Sequence, residues 1–85
     1  MRFVIEENEV YLEDENKNVI AKACFEKLEQ DTYNISRVFV EEKFRGQNIA
    51  SEIMKCTTKE LQSRGARKIC ATCSYAAHWL EKNNT

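Results

Sequence analysis

Two groups of residues have the types and spacing to do chemistry. The first is Lys43-Phe44-Arg45-Gly46-Gln47-Asn48-Ile49-Ala50. Gly and Asn are the residues that best tolerate positive φ, so Arg45 to Asn48 reads as a break. An apolar series at helical spacing begins at Ile49. A helix N-terminus leaves its first N–H groups unpaired and carries partial positive charge. With Lys43 and Arg45 beside it, the pattern fits an anion site, and a phosphate is the anion to expect. The same residues also suit a solvated basic loop, since one Gly is weaker than a full phosphate-loop motif.

The second group is Cys70, Cys73 and His78. Cys73 precedes Ser74, the expected N-cap of a last helix. A thiol there is pushed toward thiolate and could act as a nucleophile or line a pocket. An inert core cysteine is the alternative, and Cys24, Cys56 and Cys70 read that way. Cys70 and Cys73 have a redox or zinc spacing. In a strand, however, residues so spaced point to opposite faces unless the chain bends at Thr72, and no second pair completes a metal site. His78 could serve as a base because the reference pKa of histidine is near neutrality; a surface histidine beside Lys82 is the reading the pattern favours. Phe39, Tyr75 and Trp79 could line a ligand groove or fill a core.

The elements that must position these residues follow from pattern. Arg2 to Glu6, Val10 to Glu13, Val19 to Leu28 and Thr32 to Val40 read as strands. Turn formers separate them at Asn8-Glu9, Asp14 to Asn18 and Glu29 to Asp31, so an antiparallel meander is expected. On the third strand Val19, Ala21, Ala23 and Phe25 form the apolar face. Gln47 to Arg64 reads as the main helix, with Ile49, Ile53, Cys56 and Leu61 inward, Ala50 and Met54 flanking, and Glu60 a flaw in the stripe. Gly65 suits its left-handed cap. Lys68 to Cys73 is a fifth strand, Tyr75 to Glu81 a short helix, and Asn83-Asn84-Thr85 a frayed tail. The fourth strand, helix and fifth strand make a β-α-β unit, so those strands run parallel. The expected fold is α+β, a mixed sheet with the main helix across one face.

At 85 residues the chain is one domain with a small core. Its 13 basic and 14 acidic residues leave a net charge of −1, so no global field attracts nucleic acid or an anionic membrane. Anion binding must therefore be local. No apolar run reaches the ~20 residues needed to span a bilayer, and the first residues read as a strand, not a signal peptide. The expectation is a cytoplasmic protein with reduced thiols.

Val40-x-x-x-x-Arg45-Gly46-Gln47-Asn48-Ile49-Ala50 resembles the acetyl-CoA signature of the GNAT N-acetyltransferase superfamily, Gln/Arg-x-x-Gly-x-Gly/Ala. Arg45, Ile49 and Ala50 match, and Asn48 stands where the pattern has glycine. The segment from Ile69 to Asn83, with Cys73-Ser74-Tyr75 at its centre, resembles a minimal single-domain subfamily of Cys-Ser-Tyr type. The resemblance runs from Thr32 to the end of the chain.

It implies a single GNAT-like domain over residues 1–85, with a mostly antiparallel five-stranded sheet, one long helix across it and a short C-terminal helix. The fourth and fifth strands should splay, with the pantetheine arm of acetyl-CoA between them. Val38, Phe39 and Val40 would lie along the arm, the backbones of Val38 and Val40 pairing with it. N–H groups of Arg45, Gly46, Gln47, Asn48, Ile49 and Ala50 would hold the pyrophosphate, and Asn48 implies weaker binding, not loss. Cys73 would be the catalytic residue. The acceptor would be a small-molecule or peptide amine, acted on by a monomer with no metal. A CoA-binding module that works through a protein partner without catalysis is the alternative.

Overall fold

The structure, a computed structural model, describes residues 1–83. Strands β1 (Arg2–Ile5), β2 (Glu9–Glu13), β3 (Val19–Glu29) and β4 (Thr32–Val40) form an antiparallel meander. Helix α1 (Ile49–Ser63) then crosses over, β5 (Lys68–Ala71) joins parallel to β4, and α2 (Ser74–Asn83) follows. The sheet order is β1-β2-β3-β4-β5. It is the α+β fold expected, a mixed five-stranded sheet with two helices.

Local chemistry sets the turns. Glu6 N–H donates to the Glu9 carbonyl at 2.8 Å and closes a tight β1–β2 hairpin. The Asp14 carboxylate accepts from the amides of Asn16 (2.8 Å) and Asn18 (2.9 Å). The Asn18 amide foremost holds the Asp14 carboxyl below its ordinary value. Lys17 completes that turn at φ 65°. At the end of α1, Gly65 (φ 95°) forms the left-handed cap, with Gly65 N–H to the Gln62 carbonyl and Ala66 N–H to the Leu61 carbonyl, both 3.0 Å.

One apolar layer lies between sheet and helices. Val10, Leu12, Ile20, Ala21, Ala23, Phe25 and Ile35 from the sheet meet Ile53, Met54 and Leu61 of α1 and Ala76 of α2, all buried. Thr57 takes the middle of the α1 stripe, its hydroxyl donating to the Ile53 carbonyl at 2.7 Å. Cys56, expected there, is half-buried, and Glu60 leaves the stripe to pair with Arg64 at 2.7 Å.

Several boundaries differ from the pattern. The β2–β3 register slips at Leu12/Glu13, where Ile20 is an extra residue between the pairs Leu12↔Ala21 and Glu13↔Val19. That bulge reverses side-chain parity, so Ile20 is buried and Val19 lies 38% exposed, opposite to simple alternation. Helix α1 starts at Ile49 and not Gln47, because Asn48 is held at φ 65°. β5 stops at Ala71, short of Cys73. Ser74 lies inside α2 and not at its cap: Ala77 N–H donates to the Cys73 carbonyl at 2.9 Å, so Cys73 occupies the capping position. Asn83 is helical; Asn84 and Thr85, the rest of the expected frayed tail, lie outside the described residues.

Candidate functional site

The site begins where β4 and β5 part. Their pairing ends at Ile35↔Ala71. Beyond it, the amides of Thr72 (3.2 Å) and Cys73 (3.5 Å) both point at the Ile35 carbonyl. β4 continues to Val40 with no partner on that side among the described residues. The cause is visible in the β3–β4 register, where Ser36 is an extra residue between Phe25↔Ile35 and Cys24↔Arg37. A bulge bends its strand, and here it turns β4 away from β5. Below the fork, Asn34 is buried and donates to Glu26 (3.3 Å) and Thr72 (3.2 Å), tying β3, β4 and the end of β5 together.

The turn after β4 supplies the other end. Glu42–Phe44 form one 3₁₀ turn, then Gly46 (φ 83°) and Asn48 (φ 65°, ψ 15°) carry the chain into α1. An added Cβ at Gly46 would meet nothing, so the glycine answers a backbone requirement and not a lack of space. Asn48 caps α1 with its backbone only: its carbonyl accepts the Glu52 N–H at 3.2 Å, and its side chain makes no capping bond. The amides of the first turn of α1 are thus left open for an outside acceptor. Arg45 Nε donates to the Val40 carbonyl at 3.3 Å, which joins the turn to the end of the strand. Among the described residues Arg45 enters no ion pair, whereas Lys43 lies 3.8 Å from Glu41.

Between fork and turn runs a cleft of about 350 Å³. It is lined by Val38, Phe39, Val40, Arg45, Gly46, Asn48, Ile49 and Ala50, so of the expected coenzyme residues Gln47 alone falls outside. Two residues join them that the signature does not contain, Phe44 and Tyr75. Tyr75 comes from α2, and its place beside Phe39 was open in the sequence as a groove wall. Burial pushes the Tyr75 phenol above its ordinary value. Trp79, the third groove candidate, turns the other way and donates to Ser51 Oγ at 3.0 Å.

Cys73 is half-buried at the head of α2 and packs against the edge of the core. It does not line the cleft, and no side-chain hydrogen bond joins it to His78, which is exposed. All four cysteines are free thiols, and Cys70 Sγ donates to the Tyr33 carbonyl at 3.4 Å. Among the described residues no cluster of ligating side chains suits a metal ion. No helix there is long and apolar enough to cross a membrane.

This architecture is shared with known proteins. A GCN5-like protein from Staphylococcus aureus, solved by NMR, superposes with a TM-score of 0.77 at 26% identity, over 98% of this chain and 80% of its own. Tetrahymena GCN5 gives 0.73 at 13% identity, covering 87% of this chain and 48% of its own. A ribosomal-protein-alanine N-acetyltransferase from Brucella melitensis biovar Abortus gives 0.71 at 13%, covering 88% and 58%. The chain thus spans about half the length of the latter two, and their likeness concerns the fold. No curated protein matches the sequence. The family model of GCN5-related N-acetyl-transferases matches residues 3–85, nearly every residue, and the chain therefore belongs to that family of acyltransferases.

Proposed function

We propose that the cleft binds acetyl-CoA and that the chain transfers the acetyl group to an amine. The observation that carries this reading is the cleft itself, with open helix amides at one end and an unpaired strand edge along its wall. Such amides suit a pyrophosphate. The unpaired edge of Val38 to Val40 suits an amide-bearing chain, which pantetheine is. Arg45 stands where a charged donor can reach phosphate. Family membership supplies the acyl chemistry.

In direct transfer, the amine nitrogen attacks the thioester carbonyl, the C–S bond breaks, CoA leaves as a thiol and the amine loses a proton. In the covalent alternative, the Cys73 sulfur attacks the thioester carbonyl first, the C–S bond to CoA breaks and CoA leaves as a thiol with the proton Cys73 gives up. The amine then attacks the acetyl-Cys73 thioester, loses a proton and restores the Cys73 thiol. The Cys73-Ser74-Tyr75 segment supports considering that route. The position of Cys73 outside the cleft lining favours direct transfer.

Incubation with acetyl-CoA and intact-mass measurement separates the two. An acetyl adduct lost in Cys73→Ala establishes the covalent route; no adduct, with full activity in Cys73→Ala, establishes direct transfer. A screen of amines and peptides with free-thiol detection tests the reaction. CoA binding with no turnover on any acceptor would leave a CoA-binding module that works through a partner.

A further inference from the structure

The outer edge of the sheet, at β1, exposes a pair of large apolar side chains. Phe3 and Ile5 are 41% and 48% exposed, on the side of the sheet that carries α1. Their cross-strand neighbours Leu12 and Val10 are buried there, so the helix covers β2 and stops short of β1. β1 carries no Pro and no bulge, and the charges that flank this short edge, Arg2 and Glu6, are of opposite sign, so they can pair across a two-fold where like charges would repel. The opposite edge, β5, opens with Lys68 behind Arg67.

The hairpin fixes which backbone groups face outward. Glu6 and Glu9 are a hydrogen-bonded pair, and bonded and non-bonded pairs alternate along an antiparallel ladder. Val4↔Tyr11 and Arg2↔Glu13 are therefore bonded, while Ile5↔Val10 and Phe3↔Leu12 are not. The N–H and C=O groups of Phe3 and Ile5 consequently point to the free edge.

We infer that β1 pairs antiparallel with β1 of a second copy, centred on Val4. A symmetric pairing must set the outward groups of Phe3 and Ile5 against each other. Three registers do so, with Phe3 opposite Phe3, Phe3 opposite Ile5, or Ile5 opposite Ile5. In the first, Arg2 faces Val4 of the second copy; in the last, Glu6 faces Val4. Only the middle register sets Arg2 of each copy against Glu6 of the other, with Val4 against Val4 on the axis. Opposite charges directly across a ladder stabilise it. Arg2 already lies 2.7 Å from Glu13 through Nε and is largely exposed, so its terminal nitrogens can reach a second carboxylate. The two-fold axis is normal to the sheet. Phe3 and Ile5 of both copies then cover one another between the two α1 helices, and ten strands form one sheet. So short an edge gives a small interface and a concentration-dependent dimer. The coenzyme cleft lies at the far side of the sheet and stays open.

Sedimentation of the full chain from about 10 μM to about 1 mM tests this pairing, in the concentration range of weak association. The mass should rise from 10.0 kDa toward twice that value. Arg2→Glu and Glu6→Arg should each stay monomeric, and their equimolar mixture should dimerise, since mixing restores both charge pairs. Should either variant unfold, Val4→Cys decides: mild oxidation should join two copies through Cys at position 4, mapped by mass spectrometry, because other registers set that position against Arg2 or Glu6. A monomer at every concentration, or a dimer that persists in both charge variants, overturns the inference.

Discussion

Asn48 holds a left-handed backbone, φ 65° and ψ 15°, at the one position where the family pattern has glycine. That conformation costs a side-chain-bearing residue roughly 1–2 kcal/mol, less for Asn than for most. Asn48→Gly should tighten CoA binding modestly, because it clears a side chain from the cleft wall where the pyrophosphate would approach. The left-handed backbone is already present in the free protein, so relief of strain bears on stability and not on affinity. Isothermal titration of both proteins checks it. Arg45→Ala should weaken CoA by roughly 1.5–3 kcal/mol, the value of a charged hydrogen bond. The same change should leave a pantetheine fragment unaffected. Equal loss for both ligands would mean that the bond of Arg45 to the Val40 carbonyl supports the turn and not the phosphate. Tyr75 gives a test in pH. Its phenol titrates above the ordinary 10.0 because burial disfavours the phenolate. A raised folded value means that stability is intact below pH 10 and falls as pH rises through that value. Urea titrations above pH 10 should show a shallower fall in Tyr75→Phe than in the parent.

At the scale of elements, two contacts fix how the meander meets the helix. Arg64 donates from Nη1 to the Glu7 carbonyl and from Nη2 to the Glu6 carbonyl, both 2.8 Å, while Nε binds Glu60 and the guanidinium lies 5.1 Å from the Phe25 ring centre. This fork clamps the β1–β2 turn to the end of α1. Arg64→Ala should cost about 1.5–3 kcal/mol of stability, and Arg64→Lys should recover little, since an ammonium cannot span two carbonyls and stack on a ring. In the β2–β3 turn, Lys17 at φ 65° invites the reverse change. Lys17→Gly should stabilise by about 0.5–1 kcal/mol, raising Tm by several degrees in a domain this size.

The elements also mark where sequence stops being informative. Gly46, Asn48 and Gly65 could be placed in left-handed turns from residue type alone, and all three lie there. The bulges at Ile20 and Ser36 could not, because a strand's alternation carries no sign of an extra residue until its partner's register is known. The first reversed the expected faces of Val19 and Ile20. The second opens the cleft. Arg45 and Asn48 were readable as neighbours in the cleft wall because they are local to one turn. Phe44 and the bond of Arg45 to Val40 were not, since each depends on how the turn folds back. Cys73 was readable as a residue near the end of β5, but its place as the cap of α2 is set by where β5 stops.

Across the whole molecule, the net charge of −1 means that the proposed coenzyme binding must draw its attraction from one turn. Glu41 and Glu42 offset Lys43 and Arg45 there, so affinity should fall only gently with salt. The central claim is that the fork between β4 and β5 and the turn before α1 form one coenzyme cleft. Titration of CoA into the labelled protein, followed by amide chemical shifts, tests it most directly. The account predicts shifts at Ser36 to Val40, Arg45 to Ala50 and Tyr75, with β1 and β2 unmoved. Shifts confined to the other groove, around Arg67, Lys68 and Trp79, or none at saturating CoA, would contradict it.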